Sequence, residues 1–330
     1  MTLDLIIKKI SEYTIVDVRS PLEYFKGHIP SAINIPLFTD TERAVIGTIY
    51  KQQGKKPAIE KGLGFVDLSN LVEKFKPLDK PIILYCARGG MRSSSIAWLL
   101  ELMGHKVLVL KGGYKTFRRW AIDKFKKNYD LMIIGGYTCV GKTEIIKSLT
   151  DAIDLESLAN HNGSVFGGLK KTQPTQEHFE NLLAVQLFLN NEHRIYIEDE
   201  SRFIGKIQIP NDFYIQMRKS PILILTNNIE NRTIKCLNEY KNIDKDYLKK
   251  STTKLEKKLG SNKVKYLCRL IDEEKYKEAC HILFTYYDKS YSIGISKRAI
   301  STISYLEINK VATQQICNFI LKKKTQENFF

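Results

Sequence analysis

The stretch YCARGGMRS, residues 85–93, sets a cysteine ahead of two glycines and two arginines. The apolar run PIIL (81–84) precedes it, and RSSSIAWLLELMG (92–104) follows with helical spacing and a glycine stop. On a strand–loop–helix path, successive backbone N–H groups can curl inward as a nest, and Gly89 and Gly90 relieve the steric cost of the curl. Arg92 lies six residues past Cys86 and can fold back over the cup, with Arg88 between them. Such surroundings lower a thiol pKa and hold a tetrahedral anion against the sulfur. Cys86 is therefore a candidate nucleophile for a chalcogen or phosphoryl group, with Arg88 and Arg92 as anion-binding partners. A buried structural cysteine at a strand end is the alternative.

A second loop, GYTCVGKT (136–143), satisfies G-x-x-x-x-G-K-[ST] between apolar LMII and helix-like EIIKSL. In that context the pattern cradles a di- or triphosphate. Gly136 and Gly141 permit the tight loop, Lys142 reaches the outer phosphate, and Thr143 is the residue to hold Mg²⁺. The motif says diphosphate or longer; it does not choose a nucleotide over another pyrophosphate. IYIED (195–199) offers Asp199 as a carboxylate to orient a metal-bound water, with Glu198, Glu200 and Arg202 nearby. A solvated strand end is the alternative reading of that cluster. His161, in DLESLANHNGS (154–164), is a second acid–base candidate, equally suited to a structural hydrogen bond. GGLKKTQPTQ (167–176) reads as a basic loop near the substrate or as an ordinary surface loop.

These residues need elements to hold them. YTIVDVR (13–19), PIILYC (81–86) and HKVLVLKGG (105–113) are β-rich runs separated by helical spacing, which implies a parallel sheet with functional loops at the carboxyl ends of its strands. Later strands are expected at RIYIED (194–199) and PILILTN (221–227), and YKTFRRWAIDKFKKN (114–128) reads as a basic amphipathic helix. From about residue 235 the pattern is helical and rich in lysine. The expected fold class is α/β: a parallel-sheet domain over 1–120, a phosphate-loop α/β core over 121–235, and a helical basic region over 236–330.

Composition narrows the class. With 43% apolar and 27% charged residues the balance is that of a soluble chain, and no apolar run is long enough to span a bilayer. Six cysteines without CxxC spacing favour reduced thiols and a cytoplasmic setting. The net charge of +16 is uneven: +9 over residues 1–130, −3 over 131–230 and +10 over 231–330. That distribution suits a polyanion, although a solvated lysine-rich surface would give the same totals. Lys115, Arg118 and Arg119, interleaved with Tyr114 and Trp120, are candidates for contacts to RNA phosphates while aromatics stack on unpaired bases.

DVRSPLEYFKGHIPSAINIP (17–36), followed at the expected separation by YCARGGMRS, resembles a rhodanese domain. The seven-residue loop from Cys86 to Arg92 is one longer than in common sulfurtransferases and resembles loops that admit phosphate-bearing substrates. With the phosphate loop behind it, and with DLESLANHNGSVFGG (154–168), QPTQEHFEN (173–181), IEDESRFIGKIQIP (197–210) and YYDKSY (286–291), the chain resembles the tRNA 2-selenouridine synthases from about residue 15 to 295. It departs at Cys139 and Val140, where the family carries smaller residues. The resemblance implies exchange of the sulfur of wobble 2-thiouridine for selenium from selenophosphate, through an S-geranyl intermediate made from geranyl diphosphate. It further implies a tRNA anticodon loop as partner, selenophosphate and geranyl diphosphate as co-substrates, no tightly bound cofactor and no membrane. In that scheme the phosphate loop holds the pyrophosphate, and Cys86 takes selenium as a selenosulfide.

Other classes stay open on residues alone. A sulfurtransferase or cysteine-dependent phosphatase fused to an ATP- or GTP-using phosphate-loop domain would carry both loops, and a phosphatase needs an acid that the 86–92 loop lacks. An RNA-binding adaptor would have no need to keep both motifs complete.

Overall fold

The computed structural model describes residues 2–161, 172–240, 243–309 and 311–323. The chain divides into two units: residues 1–125 with 175–189, and residues 126–174 with 190–330.

In the first unit, β1 (Thr14–Asp17), β2 (Ile33–Asn34), β3 (Ile82–Tyr85) and β4 (Val107–Val109) form one sheet in the order β2-β1-β3-β4. All of its pairings are parallel, with Thr14 opposite Ile82 and Ile82 opposite Val107. β3 is buried along its whole length, which is why IILY is apolar throughout and does not alternate. Val16, Leu84, Phe75, Ile96 and Leu100 make the core on one face. A buried ion pair closes the end of β1: Arg19 Nη2 lies 2.6 Å from Asp17 Oδ2, and its guanidinium stacks 3.8 Å from the Tyr114 ring centroid. Both charges are almost completely buried, so breaking the pair leaves an uncompensated charge, at about 3–5 kcal/mol.

The helix Gln176–Leu189 belongs to this unit although its sequence lies between strands of the other. It docks on the helix Gly113–Lys124: Tyr114 Oη donates to Glu177 (2.8 Å), Arg118 to Asn181 (2.9 Å) and Glu180, and Trp120 packs edge-on against Phe188. His28 stacks between Tyr24 and His178. From Thr175 on, QPTQEHFEN thus works as packing for the first unit, whereas Gln173 bonds to Ala159, Ile204 and Lys206 in the second.

In the second unit, β5 (Leu131–Gly136), β6 (Ala152–Ile153), β7 (Ile195–Glu198), β10 (Ile222–Thr226) and β11 (Ile303–Glu307) form a parallel sheet in the order β11-β10-β5-β7-β6. β8 (Phe203–Ile204) and β9 (Ile207–Gln208) make a separate antiparallel hairpin around Gly205. The expected strands at 131, 194 and 221 are present. The division of the chain differs from the expected one. Residues 236–330 form no separate helical region: β11 pairs with β10, and Ile308, Ile316, Cys317 and Ile320 complete the core beneath β5. That strand escaped the periodicity because ISYLE has no continuous apolar run and its strand is only half-buried.

Candidate active site: a thiol loop and a phosphate loop

β3 delivers Cys86 to its carboxyl end, and the helix Met91–Leu102 begins five residues later with Gly90 as its cap. The loop is shaped from outside by a second glycine pair. Gly113, at φ +58°, lies so close that a Cβ there would fall 2.2 Å from the Cys86 carbonyl oxygen and 2.4 Å from the Gly89 nitrogen. Tyr114 N–H donates to the Cys86 carbonyl (2.9 Å) and Lys115 N–H to that of Ala87 (3.0 Å). Gly89, at φ +61°, turns within 2.7 Å of Leu110 O by the same measure, so the LKGG ending of HKVLVLKGG is a mould for the cysteine loop.

Cys86 is 4% exposed, and its carbon framework joins the apolar core. Its sulfur is met by polar donors: Gly90 N–H at 3.3 Å and Ser93 Oγ at 3.3 Å. Burial pushes the thiol pKa up, but hydrogen bonds from Ser93 and from the backbone at Arg88, Gly90 and Ser93 outweigh it, and the net shift is downward. Arg88 is exposed at the loop. Arg92 does not hang free over the cup, as its spacing suggested. Its Nη1 lies 2.8 Å from Oε2 of Glu23, on the helix Pro21–Lys26, and Arg43 reaches the same carboxylate at 3.6 Å. Burial raises the Glu23 pKa, but the hydrogen bond and charge of Arg92, with Ser20 N–H and the Arg43 charge, together more than reverse it, so the carboxylate stays ionised. The residues missed here are Ser93, Glu23, Asp17 and Arg19. Three of them lie inside DVRSPLEYFKGHIPSAINIP, so the signal was the motif, without the partners.

The phosphate loop joins β5 to the helix Lys142–Ser148. Gly136 (φ +144°) and Gly141 (φ +109°) take backbone conformations that a side chain resists, and a Cβ on Gly136 would meet Leu225 O at 2.7 Å. Lys142 Nζ donates to Gly136 O across the loop (2.9 Å). YYDKSY holds the loop from behind: Gly136 N–H donates to Tyr291 Oη (2.8 Å), while Asp288 grips Arg232, whose Nε donates to Thr138 O (3.0 Å). Val140 is fully buried in the core, so its bulk does not fill the cradle. Cys139 packs with Cys236, Cys280 and Phe284 instead. Hydrogen bonding to the Cys139 and Cys280 thiols, followed by burial, pushes the Cys236 pKa far up, so it is a protonated wall residue. All six cysteines are free thiols.

Beside Thr138 an apolar cavity opens, with about 680 Å³ of empty space including its mouth. Cys236, Cys280 and Phe284 line it near the loop, and Leu248, Leu267 and Ile271 line it farther along.

Asp199 requires a correction. Its Oδ1 is held by Arg298 (2.9 Å) and Arg218 (3.4 Å), and its carboxylate also meets the hydroxyl of Tyr291, which accepts from Gly136 N–H; Asp199 therefore braces the loop from behind and is ion-paired instead of free to orient a water. Successive residues on an extended strand point to opposite sides. Glu198, the last residue of β7, therefore projects the other way, and Glu200, whose N–H turns back to Glu198 O (3.0 Å), gathers with it and Glu156, one carboxylate oxygen of each lying within 4.8 Å of the others. Burial, then mutual repulsion, drives Glu198 well up and Glu200 to about 8; burial and Asp154 bring Glu156 to about 7 against the pull of Lys142. Among the described residues this is the group spaced to hold a metal ion, and its hard oxygen donors suit Mg²⁺.

The remaining candidates are scattered. His161 Nδ1 is buried without a hydrogen-bond partner among the described residues, and burial, then Lys254, lowers its pKa. Residues 162–171, which hold the end of its motif and the first half of GGLKKTQPTQ, lie outside the described residues. Arg118 is tied to Glu180 and Asn181, a correction to its expected RNA role, whereas Lys115 and Arg119, one helical turn apart, are both exposed. Tyr114 and Phe117 are core residues.

Two family models match: the rhodanese-like domain over residues 2–119, and the tRNA 2-selenouridine synthase AAA domain over 129–325. A tRNA 2-selenouridine synthase of Sulfurovum sp. (strain NBC37-1) is 34% identical over 327 residues, covering 86% of this chain and 89% of the relative. Those of Psychromonas ingrahamii (strain DSM 17664 / CCUG 51855 / 37) and Shewanella piezotolerans (strain WP3 / JCM 13877) are each 32% identical over 86% and 88% of the chain, and 88% and 91% of the relative.

Proposed function

The chain belongs to the tRNA 2-selenouridine synthase family, and from that premise we propose that it replaces the sulfur of wobble 2-thiouridine in tRNA with selenium from selenophosphate, through an S-geranyl intermediate. The observation that carries the geranyl step is the apolar cavity opening at Thr138 of the phosphate loop. A nucleotide has no use for a deep wall of leucine, isoleucine and phenylalanine beside its phosphates, whereas a prenyl diphosphate needs both surfaces. In this reading the loop N–H groups and Lys142 hold the pyrophosphate while the ten-carbon chain lies in the cavity. The thione sulfur attacks the first prenyl carbon, the carbon–oxygen bond to pyrophosphate breaks, and the base N3 loses its proton. Glu156, Glu198 and Glu200 would hold Mg²⁺, with Thr143 as the loop's own expected ligand, and the ion would supply charge neutralisation for the leaving pyrophosphate.

The Cys86 loop serves the second stage: water takes the phosphoryl group of selenophosphate as phosphate, the freed selenide adds to C2, and the geranylated sulfur leaves as geranyl thiolate. Thiolate sulfur is a poor leaving group at this carbon until alkylation removes its charge. The loop N–H groups with Arg88 face the phosphate of selenophosphate, and Glu23 holds Arg92 at the same mouth. A phosphatase reading fits less well, because Glu23 is the carboxylate at Arg92 and is kept ionised, so it has no proton to donate.

The test is incubation with 2-thiouridine tRNA, geranyl diphosphate and selenophosphate, followed by mass spectrometry of the nucleosides. Cys86→Ser is expected to abolish 2-selenouridine while S-geranyl-2-thiouridine accumulates. Loss of both products together would overturn the assignment of separate roles to the two loops.

A further inference from the structure

A second cavity lies on the other side of the phosphate loop, beyond Gly141, with about 650 Å³ of empty space including its mouth. Its walls come from segments that follow the carboxyl ends of β5, β10 and β11, the edge of a parallel sheet where ligands bind. Its chemistry is unlike that of the apolar cavity. Asn227 Oδ1 accepts from Asn228 N–H (2.9 Å) and from Asn231 Nδ2 (3.0 Å). This leaves Asn227 Nδ2, a donor, and Asn231 Oδ1, an acceptor, on two linked amides lining the cavity and without partners among the described residues. Ile234 and Val311 line the same space and are 57% and 42% exposed, although each is an apolar side chain. Lys235 stands at the loop end: its Nζ is 2.5 Å from Glu144 Oε2, and a Cβ on Gly141 would fall 2.4 Å from it.

A free amide donor and a free amide acceptor on one cavity wall match the edge of a nucleobase, exposed aliphatic side chains match its face, and a lysine at the phosphate loop matches the phosphate attached to its sugar. We propose that this cavity is a nucleobase site, with the base edge on Asn227 and Asn231 and its face on Ile234 and Val311. The base comes either from an RNA nucleotide turned out of its stack, as chemistry on a base requires, or from a free mononucleotide. The proposal rests on the phosphate-loop reading, which inorganic pyrophosphate binding to the unaltered protein tests by itself.

The experiment measures binding of three probes at fixed salt: inorganic pyrophosphate, uridine 5′-monophosphate with ADP as the free nucleotides, and an anticodon stem-loop RNA carrying 2-thiouridine. The variants are Asn231→Ala, which removes the acceptor, and Val311→Phe, which fills the cavity from an exposed position. Each is expected to weaken base-bearing probes about tenfold while pyrophosphate binding is unchanged. Weakening confined to the stem-loop identifies an RNA base, and weakening confined to the nucleotides identifies a free one; either supports the site. Unchanged binding of all base-bearing probes overturns it, as does an equal loss of pyrophosphate binding in both variants.

Discussion

Ser93 stands seven positions after Cys86 on a different element, yet its hydroxyl reaches the sulfur at 3.3 Å. Two opposing effects meet at that sulfur. Burial favours the neutral thiol, and the donors favour the thiolate; the donors prevail, so the pKa falls below its ordinary value. The sign for reactivity follows: a lowered pKa makes the thiolate abundant at a pH where an ordinary cysteine is still protonated. The rate of iodoacetamide modification of Cys86, followed by peptide mass spectrometry across pH, is expected to rise with a midpoint below that of a free cysteine. Ser93→Ala is expected to move that midpoint upward, because desolvation remains while one donor is lost. A midpoint unmoved by Ser93→Ala would show that the backbone donors suffice.

At the scale of elements, the cysteine loop is moulded by a neighbour in the fold. Gly112 and Gly113 open the helix Gly113–Lys124, and the approach at Gly113 leaves no space for a methyl group beside the Cys86 carbonyl. Gly113→Ala therefore meets two costs, roughly 1–2 kcal/mol for the left-handed backbone and a further penalty for displacing the loop. Thermal unfolding is expected to shift downward, and selenation to fall by more than the loss of folded protein accounts for. Activity retained in proportion to folded protein would mean that the loop tolerates the displacement. The phosphate loop is held in a similar way, by Tyr291 and by the Arg232–Asp288 pair, all supplied from beyond residue 230. This is why the C-terminal third belongs with the phosphate-loop sheet.

For the molecule as a whole, the net charge of +16 is the dominant electrostatic fact. No helix among the described residues is long and apolar enough to cross a membrane. A polyanionic partner held through lysine and arginine releases counterions on binding, so the logarithm of tRNA affinity is expected to fall steeply and linearly with log salt concentration. Lys115 and Arg119 are exposed on one face of their helix. If they meet phosphates, the double variant K115Q/R119Q lowers the magnitude of that salt slope by about two, one for each contact. A filter-binding series over salt concentration reads this directly, and an unchanged slope removes that helix face from the RNA contact.

Both loops were legible in the linear sequence because their chemistry is local: glycines, a thiol or a lysine, and a strand and helix on either side lie within about ten residues. The strands of both sheets announced themselves by continuous apolar runs where burial is two-sided, as at IILY and LMII. Short or half-buried strands such as Ile33–Asn34 and Ile303–Glu307 carried too little contrast to register. Pairings across the fold left no such trace. Asp199 and Glu198 are adjacent carboxylates in sequence, but the pleat sends one to Arg298 and the other to Glu156 and Glu200. Arg92 and Arg118 each found a carboxylate from a distant helix. Local spacing determines which backbone loops can form, because a turn depends on its own residues. Which charges end up neutralised, and which cavities open beside a loop, depends on strand order and helix docking, and those are decided only when the whole chain is packed.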